Sequence, residues 1–213
     1  WDDEPWVVEG AAVRVSLIAF GHQSAESVRL DGQNVANIYS DLSSSFSDIS
    51  QSQPLIQNIN TAFNGISKKG PFDIDGTTAR QFLEAPHNPN GRPNSDVLFP
   101  WYNGLDVTDR PRDKWIINFG DVSHSDATLY EIPYHYILKH VKPQRDQSRS
   151  KGERENWWLL ARRSPHFFSS LGNSKYYIAT PEVSKHRIFV WLDRSIIPDK
   201  NLVAIVKSDA ATL

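Results

Sequence analysis

The side chains of this sequence best suited by type to chemistry are its cations. From Lys139 to Arg163 stand Lys139, Lys142, Arg145, Arg149, Lys151, Arg154, Arg162 and Arg163, against only three acids. A run of this density either neutralises an anionic partner or forms a solvated face, and the sequence alone allows both. A second group, Lys175, Tyr176, Tyr177, Lys185, His186 and Arg187, surrounds two stretches that read as strands. Lys68 and Lys69 fall in a Lys-Lys-Gly-Pro turn. The patterns of a catalytic centre do not occur. There is no Gly-x-Gly for a dinucleotide and no phosphate-cradling P-loop. His135 and His140 are five apart, a spacing that does not put both on one helix face as metal ligands. Gly172-Asn173-Ser174 lacks the flanks of a nucleophile elbow. Glu182-Val183-Ser184-Lys185 has one residue too many for the Glu-x-Lys of a metal nuclease. Asp73 and Asp75 sit at an expected helix start, where capping explains them better. The site residues therefore include no catalytic group and no metal ligand.

The elements that must hold these cations belong to a globular chain. Its 213 residues suit one domain, or one domain and a piece of another. No apolar run approaches the length of a membrane span, so no membrane partner is expected. Without Cys there is neither a disulfide framework nor a thiolate metal site, and an intracellular compartment fits. The chain starts at Trp1 and has no Met, which reads as a piece of a longer protein. A net charge of −2 conceals an asymmetry: eight acids against two bases from Trp1 to Asn60, then the basic tract.

Pro89–Gly120 is the stretch around which the rest is organised. It joins turn formers (Gly91, Pro93, Asn94, Asn103, Gly104, Pro111) to large apolar groups (Leu98, Phe99, Trp101, Tyr102, Trp115, Phe119). It reads as a packed loop ending in a strand over Lys114–Phe119. Before it come a strand over Val13–Phe20, a hairpin turning at Asp31-Gly32, and a Ser/Gln-rich linker over Asp41–Gln57. Phe63–Ile74 holds two extended pieces around the lysine turn. A helix over Thr77–Ala85 follows, capped by Asp75, with Phe82 and Leu83 inward. Ser125 or Asp126 is expected to cap the next helix. Pro133 should break it, with Leu129, Ile132, Tyr136 and Val141 on its inner face. Trp157 and Trp158 read as core. Strands are expected over Tyr176–Ala179, Arg187–Leu192 and Leu202–Val206. The fold class is mixed α/β (α+β), strand-rich with a few packed helices.

Several segments, in order, resemble adenine-specific DNA methyltransferases of the MmeI-like single-chain restriction–modification type. They are Trp6 to Ser16 (WVVEGAAVRVS), Leu30 to Val35, Gly70 to Ile74, and Asn88 to Leu98 (NPNGRPNSDVL). Asn103 to Val107, Trp115 to Gly120, Tyr177 to Pro181 and Lys185 to Trp191 continue the match, which covers nearly the whole chain. The resemblance implies that residues 1–45 are the tail of a methyltransferase catalytic domain. It implies a DNA target recognition domain over 46–213, ending before the family's C-terminal segment. The parent would be a cytoplasmic bacterial or archaeal enzyme that uses S-adenosylmethionine and can carry an endonuclease. The fragment itself, which lacks the family's Asn-Pro-Pro-Tyr motif, would hold no cofactor. Its partners would be double-stranded DNA and the methyltransferase domain of the same polypeptide. The alternative from another class is a non-catalytic protein-interaction module.

On that resemblance, Lys142, Arg145, Arg149, Lys151, Arg162, Arg163, Lys68 and Lys69 become candidates for DNA phosphates, because they lie in polar tracts or a turn. Lys175, Tyr177, Lys185 and Arg187 become candidates for base edges, because strand ends hold a side chain in fixed geometry. Ordinary surface charge is the competing reading for both sets. Arg92 is equally suited to backbone carbonyls and to DNA.

Overall fold

The computed structural model describes residues 4–8, 11–19, 27–39, 42–44 and 52–207. The chain divides into two units, Trp1–Leu55 and Ile56–Leu213. The fold is α+β.

The first unit contains two hairpins. β1 (Glu4–Val8) pairs antiparallel with β2 (Ala11–Val15). The expected strand over Val13–Phe20 is thus shifted towards the N-terminus. Glu4 opposite Val15 is the last pair of this ladder, and Leu17 and Ile18 beyond it are exposed. Phe20 lies outside the described residues, as do Asp41 and residues 45–51 of the expected linker. β3 (Val28–Leu30) and β4 (Gln33–Val35) form the second hairpin. Asp31 and Gly32 both take positive φ, as a type I′ turn requires.

The second unit holds two four-stranded sheets. In the first, β6 (Asp73–Asp75), β8 (Lys114–Ile117) and β7 (Leu98–Tyr102) are antiparallel neighbours, and β11 (Ile197–Pro198) joins β7 in parallel. In the second, β10 (Val190–Asp193), β9 (Tyr176–Pro181), β12 (Leu202–Ile205) and β5 (Ala62–Asn64) lie in that order, all antiparallel. The chain passes from one sheet to the other between β11 and β12. There Gly65 lies so close to the Pro198–Asp199 backbone that a Cβ would fall 2.2 Å from the Asp199 carbonyl oxygen. Only glycine allows the bridge between Ile66 and Asp199.

Pro89–Gly120 supplies the central pair of the first sheet. β7 itself is not evident in the sequence, because Pro100 in its middle argues against a strand. Trp101 is buried and Trp115 half-buried on the core, beside Leu98, Ile116, Ile117 and Phe119. The Asn-Pro-Asn-Gly-Arg-Pro-Asn segment is a scaffold. Asn88 donates to the Arg92 carbonyl (2.8 Å) and to Asn94 Oδ1 (2.9 Å), and Asn94 donates to the Phe82 carbonyl (2.9 Å). Arg92 pairs with Asp96 at 2.6 Å. Buried amides satisfied in this way fix one loop conformation. Asn118 Oδ1 accepts the Gly120 N–H, a bond that an Asp in its place could equally accept.

α1 (Gly76–Leu83) starts at Asp75, whose carboxylate accepts the Thr78 N–H. α2 (Gly104–Thr108) follows β7. α3 (His124–Thr128) is capped by Ser123 and not by Ser125 or Asp126; Asp126 occupies the third helical position and donates its N–H to Ser123 Oγ. The chain breaks at Leu129–Tyr130, ahead of Pro133. Pro133 then falls in the first turn of α4 (Glu131–His140), where its missing N–H costs nothing. The inner face of α4 is Pro133, Ile137 and Val141, at four-residue spacing, while Leu129 and Ile132 are exposed. α5 (Lys142–Asp146) and α6 (Lys151–Glu155) carry the basic tract, and Trp157 and Leu160 return to the core. A second cluster, Phe167 and Leu171 of α7 (Pro165–Leu171) with Tyr177, Ala179, Leu192 and Ala204, packs on one face of the second sheet.

Candidate functional site

The helical basic tract turns half of its cations inward or onto acids. Arg145 is 2% exposed. It donates to the carbonyls of Lys68 and Leu159, both at 3.0 Å, lies 5.5 Å from the Phe72 ring centre, and faces Glu153 at 3.6 Å. Burial pushes its guanidinium pKa down, and Glu153 partly restores it. The expectation that Arg145 meets phosphate is therefore corrected: it is an internal strut tying the lysine turn to the segment before α7. Glu153 also accepts from Ser148 (2.7 Å) and pairs with Lys69 (3.0 Å), and these contacts hold its carboxyl below the usual range. Lys142 pairs with Asp146 at 2.6 Å and Lys151 with Glu155 at 3.6 Å. Lys68 pairs with Asp73 and lies 4.7 Å from the Trp101 ring centre. Arg163 pairs with Asp121 at 2.5 Å. Arg149 and Arg162 are exposed, and their side chains have no partner among the described residues.

The hairpin of the second sheet is arranged differently. Between β9 and β10 runs an exposed loop, Glu182–Phe189, with Val183 89% exposed near its start. Its shape is braced from within and from its flanks. Arg187 Nη1 donates to the Pro181 carbonyl (2.6 Å), Ser184 Oγ to the His186 carbonyl (2.6 Å), and the Glu182 N–H to the Asn201 carbonyl (2.8 Å). Lys185 is exposed with no acid on it among the described residues. Lys175 is likewise exposed at the other end of β9, beside Tyr176 and Trp191. Tyr177 points the other way. It is fully buried in the second core, its hydroxyl donates to the Ile196 carbonyl at 2.8 Å, and desolvation raises its pKa far above that of a free phenol. A base-reading role for Tyr177 is thus also corrected. Side chains alternate along a strand, so Tyr176 faces out where Tyr177 faces in.

Loop and α2 enclose an open cleft of about 620 Å³, lined by Asn103, Leu105, Thr108, Pro181, Lys185, His186 and Asn201 among others. Its α2 wall is rigid. Asn103 and Asp106 form a reciprocal cap, with the Leu105 N–H donating to Asn103 Oδ1 (2.9 Å) and the Asn103 N–H to Asp106 Oδ2 (2.9 Å). Arg112 then grips the buried Asp106 with two nitrogens, at 3.0 and 2.9 Å. Burial works to raise the Asp106 carboxyl pKa, but these donors outweigh it and hold the group below the ordinary carboxylate value. Of the lining residues, Asn103, Thr108 and Asn201 are not marked by the sequence as belonging with Lys185 and His186. The Asn-x-x-Asp spacing at 103–106 is a legible capping signal, but nothing local links α2 to a loop some eighty residues later. No group of three or more His, Cys, Asp or Glu that could hold a metal ion occurs among the described residues. No described helix is long and apolar enough to cross a membrane.

No family description and no curated protein matches this sequence. By fold, the chain is similar to the Type IIL restriction-modification enzyme MmeI, whose structure was solved in complex with DNA. The TM-score is 0.57 at 14% identity, over 94% of this chain and 24% of that one. This chain thus spans about a quarter of that enzyme's length.

Proposed function

We propose that this chain is the part of an adenine-N6 DNA methyltransferase of the restriction–modification type that recognises a double-stranded DNA sequence. The fold likeness over 94% of the chain to a restriction–modification enzyme solved with DNA carries this reading. Residues 1–45 would be the tail of the catalytic domain and 46–213 the target recognition domain. The parent would supply S-adenosylmethionine, flip the adenine out of the duplex and transfer the methyl group. The braced loop bearing Lys185 and Arg187 would address base edges, with Lys175 at its flank. Arg149 and Arg162 would meet phosphates most directly. Lys142, Lys151, Lys69 and Arg163 could do so by exchanging a carboxylate partner for a phosphate oxygen. Lys68 has less freedom to do so, since it is half-buried on Trp101 as well as paired with Asp73.

Two assays on the isolated chain test the proposal. It should bind mixed-sequence duplex with affinity that falls as salt rises, and it should transfer no methyl group from labelled S-adenosylmethionine. Absence of duplex binding at low salt, or methyl incorporation above a heat-killed control, would contradict it. A second reading, a protein-interaction module, is favoured by the exposed apolar side chains Ile56 and Ile59. It predicts instead that duplex is ignored at every salt concentration.

A further inference from the structure

We propose that a cleft between β5 and the start of α7 binds a phosphate group, with Arg162 as its anchoring donor and His166 as a second. The cleft has a volume of about 490 Å³ and is lined by residues 62–64 and 161–167. Its ionisable lining groups are Arg162, Arg163 and His166, and no carboxylate lines it. Arg162 combines two properties that the other arginines of the tract do not. Its backbone is fixed on both sides, since the Arg162 N–H donates to the Ser67 carbonyl and the Ser67 N–H to the Arg162 carbonyl, each at 3.0 Å. Its guanidinium has no partner among the described residues. Arg145 is buried, Arg163 holds Asp121, Arg154 donates to the Ser148 carbonyl, and Arg149 is free but lies between two short helices without such a frame.

The wall of the cleft is held in an unfavourable conformation. Ser164 has φ 48° and ψ 53°, a left-handed geometry that a non-glycine residue adopts only when its surroundings impose it. Its hydroxyl is directed at the Asn64 and Gly65 carbonyls, at 3.1 and 3.2 Å, which ties the start of α7 to β5. A planar guanidinium on a fixed backbone can offer two parallel N–H groups to two phosphate oxygens. The inference deepens the proposed function, on which the source of the phosphate (a duplex backbone) depends; free inorganic phosphate would use the same donors.

The test uses the full 213-residue chain. Affinity for mixed-sequence duplex is measured across a salt series for the parent chain, Arg162→Ala and Arg162→Lys, with thermal melts to establish folding. The His166 imidazole resonances are followed with duplex and separately with inorganic phosphate. Losing one phosphate contact should shrink the fall in affinity between about 50 and 200 mM salt by roughly threefold, and Arg162→Lys should restore most of that dependence. The His166 resonances should shift with duplex. If Arg162→Ala does not fold, Arg162→Gln takes its place. An unchanged salt dependence in a variant that still binds duplex overturns the cleft and leaves the proposed function standing. If duplex is not bound, but phosphate shifts His166 in the parent chain and not in the Arg162 variant, the cleft stands and the DNA reading fails. No His166 shift with either ligand overturns the cleft.

Discussion

The helical tract and the β9–β10 loop both bear several cations, yet they make opposite use of them. In the tract, each of the three acids engages a cation: Asp146 takes Lys142, Glu155 takes Lys151, and Glu153 takes Lys69 and faces Arg145. The loop has the one acid Glu182, and Lys185 is left to solvent while Arg187 holds the backbone at the end of β9. A cation count thus misjudges both regions. Availability depends on acids one helical turn away and on burial, and these leave Arg149 and Arg162 free in the tract and Lys185 free in the loop.

The largest effect should come from the tract's internal half. Arg145→Ala removes two bonds to carbonyls and leaves a cavity over Phe72. It should destabilise by about 3–5 kcal/mol, as for one partner removed from a buried ionic contact. Denaturant unfolding measures this, and a loss under about 1 kcal/mol would return Arg145 to the surface cations.

Next in size is the cleft wall. Asp106→Asn should cost about 2–3 kcal/mol, less than for a fully buried pair because the Arg112 head is left partly in water. The pH dependence follows from the same contact. A carboxyl lowered on folding stabilises above its unfolded pKa and stops doing so as pH falls through the folded one. The parent chain should therefore lose this contribution below about pH 4, and the variant should be flatter there. Parallel acid-unfolding curves would contradict the assignment.

The loop comes third and is read in binding, not in stability. Lys185→Ala should cost roughly 1–3 kcal/mol on the preferred duplex and relax one base position. Arg187→Ala should act through both base contact and loop shape. Titration of the preferred and a scrambled duplex separates the two effects, because a purely structural role weakens both alike. The smallest effects belong to the exposed pairs of the tract. Lys142→Ala and Lys151→Ala should each change stability by less than about 0.5 kcal/mol, measured by thermal melts.

Much of the fold was legible where local chemistry decides it. The Asp31-Gly32 turn, the Asp75 cap and β8 follow from residue type alone. β7 did not, because its Pro100 is accommodated only by the particular neighbours it finds in the sheet. On α4, Val141 was placed inward correctly and Tyr136 does pack on the core, but Leu129 and Ile132 were misread because Pro133 was expected to break the helix and instead opens it, which puts Pro133 and Ile137 on the inner stripe. At the candidate site, charge type was visible and accessibility was not. Arg145 and Arg149 are four apart and alike in sequence, yet one is sealed by Phe72 and two carbonyls while the other is free. Tyr176 and Tyr177 differ only in strand parity, which depends on a pairing register set by β12 and β10. The cleft joins α2 to a loop far along the chain, and no local pattern encodes that meeting.

The central claim is that sequence preference resides in the β9–β10 loop and general affinity in the free arginines. The most direct test is selection from a randomised duplex library by the parent chain, Lys185→Ala and Arg149→Ala, each shown to be folded. The account predicts a defined preference for the parent chain, one degenerate position for Lys185→Ala, and an unchanged preference with uniformly weaker, less salt-sensitive binding for Arg149→Ala. An unchanged preference in Lys185→Ala, or an altered one in Arg149→Ala, would contradict it.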